Sequence, residues 1–541
     1  MTYTAHLDTF ARDHLPPREQ WPEVTASPLY QYPERLNCVV PLLDRWIAEG
    51  RGDEPCLFSP EETLTYRQLY ERVNRLCNLF TAEWGMVPGA RLFLRSANNA
   101  WMVASYLAGL KAGLVVVATM PLLRAKEIAF PINKAAIAVA LCDAKLADEM
   151  EKARASAPNL RRLVYWGAGG PDSLERLVEA QSPEFAAVDT AADDVCLIAF
   201  TSGTTGEPKG CMHFHRDMLT ICDGFSAHIL GPSAADRFIG SPPVAFTFGL
   251  GIVLFPMRVG GSFVVLEKAT PDDLLAAIER YRATICMTAP TAYRAMIPKL
   301  KDFDLSSLRT CVSAGEALSK GTFEAWEAAT GMKLVDGIGG TEVLHIYISA
   351  AGDEIRPGST GKALPGYIAC IIDENGREVP RGTLGRLALK GPIGCRYLDD
   401  PRQTAYVQYG WNLPGDSFVQ DEDGYFWYQA RSDDMIITAG YNVGGPEVEG
   451  ALLTHPAVGE CGVVGAPDEE RGQIVKAYVV PAPGIEPNDA LARELQDHVK
   501  AAIAPYKYPR AVEFLPALPK TSSGKLQRVE LRRMARDGAR T

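Results

Sequence analysis

The chain has 541 residues, 47% hydrophobic and 22% charged, which excludes a disordered or fibrous protein and is long enough for three or more folding units. A net charge of −11 argues against a nucleic-acid or anionic membrane surface as the main partner, since polyanions need clustered Lys and Arg. The 12 cysteines form no C-x-x-C pair and no zinc spacing, so they read as reduced thiols of a cytoplasmic protein.

Met1–Pro17 carries Asp8, Arg12, Asp13 and His14 and no apolar core, so no secretory signal is expected. Leu92–Leu94, a helical Ala100–Ala112 and Val115–Ala118 then alternate in the manner of parallel strands joined by crossover helices. Phe263–Leu266, Asp272–Tyr281 and Thr284–Met287 repeat the pattern. The most apolar windows, Leu114–Thr119 and Phe248–Met257, fall short of the ~20 residues that cross a bilayer. From Asp373, turns at Glu374-Asn375-Gly376 and Glu422-Asp423-Gly424 separate short strands (Arg386–Lys390, Tyr425–Gln429), the texture of a small β-rich region. After Arg431-Ser432-Asp433-Asp434 the chain restarts with Met435-Ile436-Ile437 and continues through helices over Pro446–Leu453 and Asp489–Ile503 and strands over Gly459–Gly465, Lys476–Val480 and Val512–Leu515. The expected fold is α/β: a large N-terminal part, residues 1–433, with layered α/β subdomains and a small β-rich one, and a mobile C-terminal α+β domain, residues 434–541.

The sharpest motif is Thr201-Ser202-Gly203-Thr204-Thr205-Gly206-Glu207-Pro208-Lys209-Gly210, after an apolar strand over Val195–Phe200 and before a helical stretch near Arg216. Glycines let backbone N–H groups approach an anion, hydroxyls add donors and Lys209 adds charge, so the segment can cradle phosphate. It is not a Walker loop, because Lys209 is followed by Gly210. His213 and His215 lack a third ligand nearby, and packing at a helix start describes them better than a metal site.

The loop resembles the phosphate-binding signature of the adenylate-forming superfamily, which includes acyl-CoA synthetases, luciferases and peptide-synthetase adenylation domains. Four further stretches resemble that family in order: Asp336-Gly337-Ile338-Gly339-Gly340-Thr341-Glu342, Pro414-Gly415-Asp416, Arg431-Ser432-Asp433-Asp434-Met435-Ile436, and Pro519-Lys520-Thr521-Ser522-Ser523-Gly524-Lys525. The resemblance implies that ATP is held by Thr201, Ser202, Gly203, Thr204, Thr205, Lys209, Gly315, Glu316, Ala317, Asp336, Gly337, Ile338, Thr341, Asp416, Tyr428 and Arg431. It further implies that Glu342 holds Mg²⁺, and that Thr341, Glu342 and Lys525 carry catalysis. Each role has a physical basis. A carboxylate attacking the α-phosphorus brings two anions together, so charge neutralisation and alignment dominate. A glutamate suits Mg²⁺ when phosphate oxygens complete the octahedron, an aspartate can accept from both ribose hydroxyls, and a flexible ammonium can follow redistributing charge. Asp433 matches the hinge of a two-step cycle that ends on coenzyme A, with Ala439, Gly440, Tyr441, Tyr506, Tyr508 and Arg510 as its contacts. The chain departs from the family pattern at Ala430, Ala439 and Pro446, which leaves the coenzyme tunnel open to question.

For the acid, Phe246, Thr247, Phe248, Gly249, Gly339, Gly340 and His345 resemble the slot of benzoate-CoA ligases, and the Ala245–Gly251 and His213–Asp217 strings are most similar to 2-aminobenzoate-CoA ligases. Two aromatics on one strand face, a glycine pair and a histidine suit a flat ring. The expected reaction joins an aromatic carboxylate, 2-aminobenzoate or benzoate, to coenzyme A through an acyl-adenylate, in a monomer or homodimer. Another ring or alkyl acid, or a carrier protein as acceptor, remains an alternative. A non-catalytic nucleotide sensor ranks last, since Lys525 and Glu342 are both present.

Overall fold

The structure, a computed structural model, describes residues 3–201, 207–431, 434–438, 441–468, 471–521 and 524–538. Two parallel-rich sheets dominate it. The first has six strands in the order Arg162–Trp166, Val139–Asp143, Arg91–Arg95, Val115–Thr119, Val195–Phe200, Gly210–Phe214, all parallel except the last. The second has nine strands. Its parallel centre runs Leu334–Gly339, Thr310–Ala314, Ile285–Thr288, Arg237–Gly240, Ser262–Val264, Pro55–Phe58, and antiparallel strands flank it on both sides.

Strand alternation makes these sheets layered. Leu92 and Leu94 face a core shared by both sheets, whereas Phe93 faces an outer core; Val116 and its neighbours Val115 and Val117 divide in the same way. In the other sheet Ile285 and Met287 join the shared core while Cys286 joins the opposite outer one. The helix Ala100–Lys111, capped by Asn99 onto the Met102 amide, lies in the central layer and is buried almost all round.

A six-stranded antiparallel sheet built on Ile368–Ile372, Leu384–Lys390, Asp416–Gln420 and Phe426–Arg431 forms the β-rich part. Beyond it, Val458–Asp468, Gly472–Pro481 and Ala511–Phe514 make a three-stranded sheet, packed by the helices Gly445–Leu452, Asp489–Ala502 and Arg528–Gly538. Two hydrophobic clusters there take every member from residues 436–535.

One expectation is corrected. Phe246 and Phe248 do not share a strand face: Phe246 is the N-cap of a helix, Thr247–Val259. The run is buried on nearly all sides, so no period shows, and its length marks a helix rather than a strand. The helical stretch expected near Arg216 is the helix His215–Ile221, with a strand before it that the sequence reading missed. The strand Gly210–Phe214 pairs antiparallel with Val195–Phe200, so the loop closes a hairpin, and the helix His215–Ile221 starts only beyond that strand.

Candidate active site

Ligands of open α/β sheets gather at the carboxyl ends of parallel strands, and the predicted residues do so here. Gly315, Glu316 and Ala317 follow Thr310–Ala314, Asp336, Gly337 and Ile338 lie in the adjacent Leu334–Gly339, and Thr201 follows Val195–Phe200. Gly315 has φ +90°, a conformation open to glycine.

The phosphate loop is clamped at its neck. Thr201 N–H donates to the Lys209 carbonyl at 2.9 Å, and Lys209 N–H donates back to Thr201 Oγ1 at 3.2 Å. Ser202, Gly203, Thr204 and Thr205 lie outside the described residues. The Lys209 ammonium lies 2.7 Å from the Tyr397 hydroxyl and 3.4 Å from Glu342 Oε1, over the rings of Tyr397 and Tyr406.

Glu342 sits in the short turn Thr341–Val343, between Leu334–Gly339 and the antiparallel Ile346–Ser349. The reversal is tight: a Cβ on Gly339 would meet the His345 carbonyl oxygen at 2.6 Å. Glu342 is buried and accepts from the Tyr397 hydroxyl at 2.6 Å. His213 Nε2 lies 2.7 Å from the Thr341 carbonyl. Behind it, Asp217 pairs with Arg396 at 3.3 Å and lies 3.7 Å from His213 Nδ1. Burial would raise the Asp217 pKa, but His213, Arg396 and Arg216 outweigh it and hold the carboxyl low. His215 turns away to Cys38, with Nδ1 3.2 Å from the sulfur. His213 thus contacts the Thr341 turn and His215 the Cys38 thiol.

Asp416 and Arg431 face each other on adjacent strands, with Arg431 Nη1 donating to Asp416 Oδ1 at 3.2 Å. Gly415, at φ +82°, sets the turn, and Tyr428 packs edge-on against Phe418 one strand away. Burial pushes the Asp336 carboxyl up to about 8, against a hydrogen bond from the Gly337 backbone, so it is largely protonated at neutral pH.

The C-terminal loop reaches this group. Lys525 N–H donates to Thr521 Oγ1 at 3.1 Å, Thr521 N–H donates back to the Lys525 carbonyl at 2.7 Å, and Gly524 turns at φ +83°. The residue keeps solvent contact, yet protein crowds its ammonium, and that loss of water lowers its pKa. Glu316 and Asp416 oppose this effect and Arg431 adds to it, so all three stand within electrostatic reach of Lys525.

In the acyl slot, Asn98 fixes the approach: its amide donates to the Pro242 carbonyl at 2.9 Å and its oxygen accepts from Val244 N–H at 2.7 Å. Phe246, Thr247 and Phe248 are half-buried at the helix start. Gly249 is obligatory, since a Cβ there would fall 2.0 Å from the Pro243 carbonyl oxygen; one on Gly251 would fall 2.9 Å from His345 Nε2. The His345 ring is buried among Phe225, Phe248 and Phe255, with centroids 5.4, 5.9 and 4.8 Å away. Neither ring nitrogen makes a well-formed hydrogen bond. Burial, partly offset by the Phe248 backbone, pulls its pKa down to about 3, so the imidazole is neutral. Gly339 and Gly340 border the same turn. Phe225, Phe255, Asn98, Tyr397 and Tyr406 belong to no motif at fixed spacing and were not legible beforehand.

Of the predicted coenzyme contacts, Tyr441 and Tyr506 pack ring on ring at 4.8 Å and are exposed, while Tyr508 lies under the Arg510 guanidinium at 4.7 Å. Ala439, Gly440 and Asp433, the expected hinge position, lie outside the described residues. Asp434 pairs with Arg528 and Arg532.

This fold, with a phosphate-type hairpin, a buried glutamate and a lysine loop near Glu316, Asp416 and Arg431, is that of a nucleotide-dependent acid ligase. Residues 44–396 match the AMP-binding enzyme family and residues 447–525 the AMP-binding enzyme C-terminal domain. The chain belongs to the AMP-binding enzyme family and is an AMP-forming acid–thiol ligase, for which ATP and coenzyme A are co-substrates. It is 35% identical over 512 residues to the benzoate–CoA ligase of Thauera aromatica, covering 93% of this chain and 97% of that one. Among solved structures it is similar to an anthranilate CoA ligase in complex with anthranoyl-AMP (TM-score 0.91, 34% identity, 95% of this chain and 100% of that one). A benzoate CoA ligase from Burkholderia xenovorans LB400 also matches (TM-score 0.84, 30% identity, 92% and 100%).

Proposed function

We propose that the chain converts an aromatic carboxylate, 2-aminobenzoate foremost or benzoate, to its coenzyme A thioester through an acyl-adenylate. The observation that carries the aromatic reading is the neutral His345, its ring nitrogens without a well-formed hydrogen bond, among Phe225, Phe248 and Phe255 beside the Gly339-Gly340 turn. A flat ring fills such a slot, whereas a flexible chain loses rotamer freedom on entering it. A neutral imidazole can accept from an ortho amine, which fits the anthranilate and benzoate ligases among the similar proteins.

In the first half-reaction the phosphate hairpin and Lys209 hold the phosphates, and Asp416 accepts from the ribose hydroxyls, oriented by Arg431. Thr341 donates to the α-phosphate, and Lys525 neutralises charge between the entering carboxylate and the α-phosphate. The carboxylate oxygen bonds to the α-phosphorus as the bond to pyrophosphate breaks. The buried Glu342 carboxylate, which accepts from the Tyr397 hydroxyl, is an oxygen donor of the kind that would hold Mg²⁺. Bound there, Mg²⁺ would supply charge neutralisation on the phosphates. In the second half-reaction the domain beyond Asp433 swings, Lys525 withdraws, and the face bearing Ala439, Gly440 and Tyr441 admits the thiol. Tyr506, Tyr508 and Arg510 would receive the coenzyme nucleotide.

The test is acid-dependent pyrophosphate release over substituted benzoates and hexanoate, with coenzyme A and then a carrier protein as acceptor. We expect 2-aminobenzoate to lead benzoate by roughly 5- to 150-fold in kcat/KM, the cost of leaving a buried polar group unpaired. Benzoate equal to 2-aminobenzoate removes the anthranilate reading alone; hexanoate ahead of both removes the aromatic one.

A further inference from the structure

Tyr397 has no place in the motifs, yet its hydroxyl touches two groups on which the adenylation reading depends. Its backbone is fixed against the strand that leaves the phosphate hairpin: it bridges to Cys211, its N–H donates to Gln403 Oε1 at 2.9 Å, and the next N–H donates to the Gly210 carbonyl at 2.8 Å. The ring is buried and packs edge-on against Tyr406 at 5.8 Å. A phenol has one proton to give. Here it goes to Glu342 Oε1 at 2.6 Å while the oxygen accepts from the Lys209 ammonium at 2.7 Å, and Lys209 and Glu342 themselves stay 3.4 Å apart.

We infer that Tyr397 is a positioning residue: its hydroxyl hydrogen-bonds both the Glu342 carboxylate and the Lys209 ammonium, so that their ion pair stays at 3.4 Å rather than closing to a direct hydrogen bond before magnesium nucleotide arrives. The inference rests on the reading above of Glu342 as metal carboxylate and Lys209 as phosphate contact. Without the hydroxyl, the Lys209–Glu342 pair closes from 3.4 Å to a direct hydrogen bond, and the metal and phosphate must compete with that tighter pair. The effect is confined to adenylation.

The experiment compares wild type, Y397F, E342Q and the double variant. Phenylalanine keeps the ring on Tyr406 and should leave thermal unfolding unchanged. Binding of Mn²⁺ is followed by electron paramagnetic resonance with a non-hydrolysable ATP analogue, alongside both half-reactions. Y397F should weaken Mn²⁺ binding and slow adenylation by about 10- to 150-fold, the range for a lost hydrogen bond to a charged group. Thioester formation from preformed adenylate should be unchanged. E342Q should be worse, and the double variant no worse than E342Q. If E342Q binds Mn²⁺ as wild type does, the reading of Glu342 fails and the inference falls with it. If E342Q is impaired while Y397F matches wild type, or the two losses multiply in the double variant, the inference alone is overturned. Lowered Y397F stability with loss of both half-reactions also overturns it, since Tyr397 would then be a packing residue.

Discussion

Replacing Lys525 with alanine separates the two half-reactions. The ammonium stands within electrostatic reach of Glu316, Asp416 and Arg431, where loss of water has already lowered its pKa. A donor in such a place, aimed at charge that develops during phosphoryl transfer, is worth about 10²–10³ in rate, or ~3–4 kcal/mol. K525A should therefore slow acid-dependent pyrophosphate exchange by that factor while a preformed acyl-adenylate still passes to coenzyme A at the wild-type rate. The lowered pKa adds a second signature. Only the protonated form neutralises charge, so wild-type adenylation should fall as pH rises through a value below the ~10.4 of an ordinary lysine. K525R should be slow but lose that alkaline limb, because a guanidinium does not deprotonate. Separate single-turnover assays of each step across pH decide the matter. Equal loss in both half-reactions would make Lys525 a structural residue and refute the two-state cycle.

Three further outcomes are expected. H345L should bring the 2-aminobenzoate and benzoate rates together, and wild-type selectivity should be flat between about pH 5 and 8, because an imidazole with its pKa pulled to about 3 stays neutral there; a step near pH 6.5 would show a solvated histidine. Asp336, raised to about 8, is protonated in the fold but ionised once unfolded above its ordinary carboxylate value, so wild-type stability should decline relative to D336N as pH rises from about 4 to 8 and then run parallel. Denaturant midpoints measure this, and a constant offset would mean that water reaches the carboxyl. H213L leaves the Thr341 carbonyl without its 2.7 Å partner, a loss of about 1–3 kcal/mol that should lower the thermal midpoint and slow adenylation more than thioester formation; an unaltered adenylation rate would show that Thr341 is held by its turn alone.

Much of this was legible before the fold was seen, and the boundary has a physical cause. Val115–Thr119 was readable as a short β-branched run and Asp489–Ala502 from its apolar period and its Asn488 cap, all local signals. The backbone-dictated parts of the site were readable too, because Gly339 and Gly415 are demanded by close approach or positive φ within a few residues. The Thr247–Val259 helix was misread because burial on nearly every side removes the polar face that would show its period. What stayed hidden is the set of long-range polar pairs. Lys209 meets Tyr397 across 188 positions, His213 meets Thr341 across 128, and Tyr397 meets Glu342 across 55. Such contacts exist only after the sheets have stacked, and nothing in the spacing of a lone tyrosine or histidine announces them. They nevertheless converge on one short strand: Lys209 directly before it and His213 within it both reach the Thr341–Glu342 turn, and Tyr397 is bridged to its Cys211. Gly210–Phe214 therefore ties the phosphate hairpin to the carboxylate turn, so that a displacement of either is felt by the other through hydrogen bonds rather than through the loop itself.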